Sequence, residues 1–511
     1  MVDDLKQTNG LPRLNPFAFP SDTDFRFFLL IVSVLAAGLF IYNSLYYSVP
    51  SNSSNFIQTL RRCTQESEAA FPGTDLNARI ARNNFFEQCR KQQEQIQALW
   101  IIGGVLILLF VGSLIYLTFP WRKVKKEKLV PFTELDSPEA VSLLKDLCRE
   151  AGLSRQPDFV WNPLNLTSSG SAFGILGRYK IALGGGLVTK FFTDRPAFRA
   201  VVLHELGHIS NGDINKTYFA VAIWQSFLLV GVLPLALSQL GSNNELDFIF
   251  ALTWRTFALA GLVYLTRNAV LRAREVYADL RATLWEGTTS VIERVIGELI
   301  SQKKNLFYAI TDLHPVPAER RKVLENTDRL FRLGYWEAFG TGIIATISFP
   351  NVLSVLSLLL PVNVSANATL FATLIFGPLA VEVVGLQIWR ASFAALMRGK
   401  TLRGVGRLGL CFGFGIVLGR LLAFDSAFVA IEEQTDFAIQ IVNIGYGIIW
   451  SGILCASLFF LMRWIAMGAK GWLEIAIHEL SPRPIYLAGL FIASIVLTVW
   501  LSTLFQSRDL G

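Results

Sequence analysis

The chain has 511 residues, 52% of them apolar and only 17% charged, with a mean hydropathy of +0.44. With 39 Phe, 12 Trp and 39 Gly, this composition excludes an ordinary soluble protein, a disordered chain and a collagen, and places most residues in lipid. The net charge of +7 is read as basic loops beside membrane spans rather than as a nucleic-acid-binding surface.

A bilayer core needs about 20 apolar helical residues, and nine stretches supply them: 27–48, 98–119, 217–240, 248–266, 337–360, 368–389, 405–424, 441–462 and 485–505. No small-residue cleavage site follows the first, so it reads as a retained span and not a signal peptide. The segment 49–97 is read as a long polar loop holding Cys63 and Cys89, where an oxidising compartment would permit a disulfide. Arg122, Lys123, Lys125, Lys126 and Lys128 follow the second stretch, and Arg267, Arg272, Arg274 and Arg281 follow the fourth. Basic residues mark the cytoplasmic side. Alternation then places 241–247, 361–367 and 425–440 outside; none carries Lys or Arg, and the first and last carry acids.

The expected organisation is therefore a two-span region over 1–119, a cytoplasmic domain over 120–336 interrupted by a membrane hairpin at 217–266, and a five-span region over 337–511. Within the spans, Arg255, Glu382 and Arg420 are costly in hydrocarbon and are expected to face a bundle interior or snorkel. Gly409, Gly413, Gly415 and Gly419 form a small-residue face for close helix packing.

The chemistry lies in the cytoplasmic portion. His204-Glu205-Leu206-Gly207-His208 places two imidazoles one helical turn apart on one face, able to share one zinc ion, with Glu205 directed at the metal's open position. A catalytic zinc needs a third protein ligand. Glu275 is the first candidate, with Asp279 one turn further along, placed to orient a ligand histidine; the alternative is that both acids, set among arginines, form a solvated charged face.

These residues resemble the HtpX-type and CAAX prenyl endopeptidase group of integral-membrane zinc metalloproteases. The resemblance covers roughly 120–330 and rests on several motifs in order: Ser171-Ala172-Phe173-Gly174, Lys180-Ile181-Ala182-Leu183 with Gly184–Gly186, the HELGH run continued by Ile209, Asn211 and Asp213, the Glu275 and Asp279 pair, and His314-Pro315 with Glu319-Arg320. It implies one Zn2+ per chain held by His204, His208 and Glu275, with Glu205 as catalytic base. It further implies that His314 and Arg320 contact the substrate carbonyl or oxyanion, and that Ile181, Ala182 and Leu183 form an edge strand that receives substrate, with Gly184–Gly186 as a turn. Position 171 is Ser where that family usually has Asn, and the five stretches after residue 336 exceed a short relative of this type. The expected fold is a mainly α membrane protein of about nine transmembrane helices with a small cytoplasmic α+β zincin-like domain. The expected activity is endopeptidase cleavage, on the cytoplasmic side of a bacterial inner membrane, of membrane-associated or misfolded proteins, including lipid-anchored chains, with no nucleic-acid partner. The rival reading is a transporter or signalling protein with an auxiliary or inactive metalloprotease domain.

Overall fold

The computed structural model describes residues 14–17, 21–73, 75–240, 246–298, 317–359, 368–422, 437–478 and 482–506. It is mostly helical, with one small mixed sheet. Among the described residues, five helices are long and apolar enough to cross a membrane: Asp22–Ser48, Leu76–Lys126, Asp213–Leu240, Thr369–Met397 and Gly447–Ile475. They carry five of the nine expected stretches. Of the others, 248–266, 337–360 and 405–424 fall on the helices Leu246–Glu286, Tyr335–Leu359 and Val405–Leu422, and the last contains a shorter apolar helix, Leu487–Val499. The acidic segments expected outside lie largely beyond the described residues.

The chain divides into two compact units, one of residues 1–31, 110–226 and 264–332, the other of 32–109, 227–263 and 333–511. In the second unit, the stretch 49–97 is helix rather than loop. Pro50, at a helix start where its missing N–H costs nothing, opens Pro50–Ala70, and the polar residues from Leu76 onward continue directly into Leu76–Lys126. Cys63 and Cys89 join these helices in a disulfide with a Cα separation of 5.7 Å. The glycine face also packs as its spacing requires: a Cβ at Gly409 would lie 2.4 Å from the Leu458 carbonyl oxygen, and one at Gly415 would lie 2.1 Å from that of Phe339. Arg255 lines a cavity of about 200 Å³ with Leu259, Leu262, Ile343 and Ile347. Glu382 falls on the helix Ala368–Met397.

In the first unit, the elements in chain order are α1 (Asp22–Ser48, its first part), α2 (Leu76–Lys126, from residue 110), β1 (Val130–Pro131), α3 (Pro138–Glu150), β2 (Asp158–Asn162), β3 (Gly170–Ile175), β4 (Arg178–Gly184), α4 (Gly185–Thr193), α5 (Arg195–Ser210), α6 (Asp213–Ser226), α7 (Leu246–Glu286, from residue 264), α8 (Ser290–Glu298) and α9 (Pro317–Glu325). Two helices that frame the sheet start on side-chain caps. Ser137 accepts from the Ala140 N–H, and Asp194 from the Ala197 N–H, each with a proline in the first turn. α3 then buries Ala140, Leu144, Leu147 and Cys148, one stripe at helical spacing. These pack with Ile181 and Leu183 of the sheet and with Phe198, Val202, Leu203 and Leu206 of α5 into a single core.

The sheet order is β1-β2-β4-β3. β4 pairs parallel with β2 and antiparallel with β3, so Ile181 stands between Phe159 and Ala172. This corrects the expectation of an edge strand at Ile181, Ala182 and Leu183: all three residues are buried and both sides of β4 are taken. The reason is visible in the sequence, since consecutive apolar residues without polar alternation mark a strand covered on both faces. The terminal strand beside β4 is β3. Gly184–Gly186 is likewise not a turn, because Gly184 ends β4 and opens α4 directly. The glycines are needed for closeness: a Cβ at Gly184 would lie 2.2 Å from the Thr167 carbonyl oxygen, and one at Gly186 would lie 2.1 Å from that of Leu166.

Gly186→Ala should therefore destabilise the protein by about 1–3 kcal/mol, the range for overpacking against atoms that cannot rotate away. Gly297→Ala, on an open face of α8, should be neutral or slightly stabilising because alanine is the better helix former. Thermal unfolding of both variants in detergent measures the contrast, and equal melting temperatures would remove this account of the glycine run.

Candidate metal centre

α5 carries His204 and His208, and α7 carries Glu275 and Asp279, each pair one turn apart. The two helices meet closely at Gly207, where a Cβ would stand 3.0 Å from the Ala278 carbonyl oxygen. A larger residue there would push α7 away, so the glycine inside the HELGH run sets the distance between the two pairs.

The result is a convergence of donors. His204 Nε2 lies 3.6 Å from Glu275 Oε2, and His208 Nε2 lies 3.5 Å from Glu275 Oε1. One ligand atom from each of the three residues lies within 4.8 Å of the others. The Nδ1 atoms face carboxylates instead: His204 Nδ1 is 2.9 Å from Asp279 Oδ1, and His208 Nδ1 is 3.8 Å from Asp213 Oδ2. The Asp279 carboxylate fixes the His204 ring so that its other nitrogen points at the shared centre, whereas Asp213 stands too far from His208 for a hydrogen bond.

These residues fit a metal ion on the structure's own geometry. Zinc bonds of about 2.0–2.2 Å at tetrahedral angles separate donor atoms by roughly 3.4 Å, close to the two His–Glu distances observed. The charge balance agrees. Burial alone would keep the His204 imidazole neutral, but its hydrogen bonds to Asp279 and Glu275 outweigh burial and push it up to about 10. His208, buried and near the Arg274 guanidinium, is held well below the ordinary imidazole value. Asp279 and Glu275 thus favour a charged His204.

Asp279 is itself held from two sides. Arg320 of α9 donates from Nε and Nη2 to its two oxygens at 2.7 and 2.6 Å, while His204 sits on Oδ1. Burial raises the Asp279 pKa, but Arg320 and His204 outweigh that and hold it below the usual carboxylate range. Arg320, expected as a carbonyl or oxyanion contact, has its guanidinium turned onto this acid, with Nη1 4.0 Å from Glu275 Oε2. His314 lies outside the described residues.

Glu205 faces the terminal strand. Its Oε2 accepts from the Ala172 N–H at 2.6 Å, and the Ala172 carbonyl accepts from the Tyr218 hydroxyl at 3.1 Å. Ala172 is thus the residue of β3 whose backbone groups turn away from β4 toward the helices. Ile181, Ala182 and Leu183 are one strand further in, with Ile181 opposite Ala172.

Several contacts were not legible in the motifs. Asp213 stands in the HELGH continuation, and its acid five residues after His208 was the available signal. Arg274 donates from Nε to Glu275 Oε1 at 3.0 Å, which adjacency alone does not announce. Lys123, read only as a topology-marking base, donates to Ser171 Oγ at 2.9 Å and lies over the Phe173 ring.

Residues 134–328 match the model of peptidase family M48. This is the family of the HtpX-type and CAAX-type membrane zinc metalloproteases, and its members are metallopeptidases, typically of zinc. No curated protein and no solved structure matches the chain. The matched segment begins after β1 and before α3 and ends in the turn after α9, so it contains β2, β3 and β4, the HELGH helix, Glu275, Asp279 and Arg320.

Arg320→Met would leave the Asp279 carboxylate, 2% exposed, without its two-donor partner. Breaking a buried pair in this way costs about 3–5 kcal/mol, and a correspondingly lower melting temperature is expected. Arg320→Lys should recover only part of it, because a single ammonium cannot reproduce the planar fork. A Met variant as stable as wild type would show that the pair does not hold the site together.

Proposed function

We propose that the chain is a membrane-embedded zinc metalloendopeptidase that cuts membrane-associated or misfolded proteins near the bilayer. The observation that carries this reading is the convergence of His204 Nε2, His208 Nε2 and Glu275 on one point, with Glu205 on the same helix as the histidines. His204, His208 and Glu275 would hold one Zn2+ per chain, and Asp279 would orient the His204 ring. When bound, the metal supplies Lewis acidity, which makes a water nucleophilic near neutral pH and polarises a peptide carbonyl.

The remaining steps belong to the chain's own residues. Glu205 is the general base: it takes the proton of the attacking water and passes it to the leaving amine. The hydrogen bond from the Ala172 N–H holds one Glu205 oxygen in place and leaves the other to receive the proton. A peptide laid beside the terminal strand β3 passes this carboxylate, and recognition through backbone groups makes sequence selectivity loose. Arg320, through Asp279, keeps His204 oriented and is a positioning residue, while the carbonyl contact implied for His314 by the resemblance completes the proposed site. Nine spans, the domain over 120–336 and a catalytic side facing the cytoplasm of a bacterial inner membrane complete the reading, supported by the basic residues after 98–119 and 248–266.

Glu205→Gln should keep the metal and lose turnover by a factor of at least about 10². Glu275→Gln should lose the metal on dialysis against a chelator, since a neutral amide is a much poorer ligand than a carboxylate. Metal content by elemental analysis and cleavage of a generic unfolded peptide measure the two separately. Wild-type turnover in the Glu205→Gln variant would displace the base, and full zinc retention in the Glu275→Gln variant would displace the ligand. If wild type itself holds zinc but cleaves nothing, the auxiliary-domain reading gains.

The depth of the site sets where substrates are cut. Glu275 and Arg267 lie on one unbroken helix, α7, eight residues and therefore about 12 Å apart. α5 and α6, by contrast, are broken at Asn211–Gly212, where Gly212 has φ +68°, so the histidines are not on a direct extension of the span. Cutting should fall off steeply as one cleavable sequence is moved away from a model transmembrane helix in liposomes. Cutting independent of that distance would remove the membrane-proximal part of the proposal.

A further inference from the structure

The β3–β4 hairpin closes in a two-residue turn, with Ile175 paired to Arg178 and Leu176-Gly177 between them. Leu176 has φ +47° and Gly177 φ +82°. Two successive left-handed residues make the tight turn that suits a twisted hairpin, and its first position favours Asn, Asp or Gly. Leucine is a poor choice there, because its Cβ crowds the following carbonyl. The side chain is also 75% exposed. Neither backbone preference nor core packing accounts for a large apolar residue at this place.

The surroundings do account for it. Asn215 links the hairpin to a membrane helix: its Oδ1 accepts from the Tyr116 hydroxyl at 3.0 Å, and its Nδ2 donates at 3.1 Å to the hydroxyl of Tyr179, the residue after Arg178 on β4. Tyr116 lies within the apolar part of α2, and its ring meets that of Phe219, three residues past Lys216, in the apolar helix Asp213–Leu240. Trp121, 66% exposed and five residues further along α2, is the kind of residue that sits at a membrane–water boundary. Tyr116 therefore lies about 7.5 Å on the hydrocarbon side of Trp121. The hairpin tip is tied to the level at which the chain enters lipid.

We propose that this tip is a membrane-inserted wedge: Leu176 enters the acyl–headgroup boundary of the leaflet next to the metal centre, and the exposed Arg178 reaches lipid phosphate. An apolar side chain beside a long cation is the pairing that an interface accepts, with the stem in lipid and the charge in the headgroups. The wedge depends on the chain being a membrane protein but not on the protease reading. Its consequence for that reading is direct. Leu176 is four residues along the strand from Ala172, whose N–H holds Glu205, a distance of about 13 Å, so β3 runs from the bilayer to the proposed base.

The test uses the full chain in nanodiscs of mixed neutral and anionic lipid, with Cys148, Cys411 and Cys455 replaced by alanine and one reporter cysteine carrying an environment-sensitive fluorophore. Lipids bearing a nitroxide near the headgroup should quench a reporter at 178 at least about threefold more than one at Leu164, an exposed residue in the loop at the other end of β4. Equal quenching at the two positions overturns the proposal. A second variant separates insertion from loss of fold. Leu176→Asn improves the turn, so the melting temperature should hold or rise while quenching at 178 falls toward the value at 164. If quenching at 178 persists unchanged in the Leu176→Asn variant, Leu176 is not the wedge and the proposal is likewise overturned.

Discussion

Everything at the candidate metal centre depends on how one buried acid is satisfied. Asp279 is almost fully enclosed, and an unpaired carboxylate there would cost several kcal/mol. Arg320 occupies both of its oxygens and His204 shares one of them. That pairing ties three separate stretches of chain, α5, α7 and α9, to one point. It also decides which nitrogen of His204 is available: with Nδ1 on Asp279, only Nε2 can face Glu275. The tautomer, the donor geometry and the approach of α9 are therefore consequences of the same contact.

The donor set itself was legible because helical spacing is a strong constraint. Two histidines four residues apart, and two acids four residues apart, can each present one face only, and the facing of those pairs is what the structure shows. What sequence spacing could not give is the distance between them, which Gly207 against Ala278 sets. The role of Arg320 was equally out of reach. From the sequence it is a cation near the site, free to contact substrate, but its burial and its two hydrogen bonds to Asp279 follow from the packing of α9, which no local pattern encodes.

The misplaced substrate strand has a similar origin. Lys180-Ile181-Ala182-Leu183 is the most strand-like run in the segment, and the family resemblance puts this run at the edge that binds peptide. Apolar residues on both faces instead favour the middle of a sheet, where β4 is found. The terminal strand β3 is weaker in local preference, with glycine at both 170 and 174. The tertiary contacts of β3 with α5 and α6, and not its β-propensity, keep it in the sheet.

That weakness has a physical use. Gly170, Ala172 and Gly174 point to one side of β3, because side chains alternate along a strand, so this side carries a single methyl group. A Cβ at Gly170 would stand 2.9 Å from Cγ of Glu205, and any larger residue would displace the carboxylate from the Ala172 N–H. At the other end, Gly174 has φ +143°, and a Cβ there would lie 2.2 Å from the Arg178 carbonyl oxygen. A strand built for its own stability would carry Val or Ile at these places. This one gives up side-chain packing along one side so that the HELGH helix can lie against its backbone, and the core beneath α5, from Leu144 to Leu206, supplies the stability that β3 lacks.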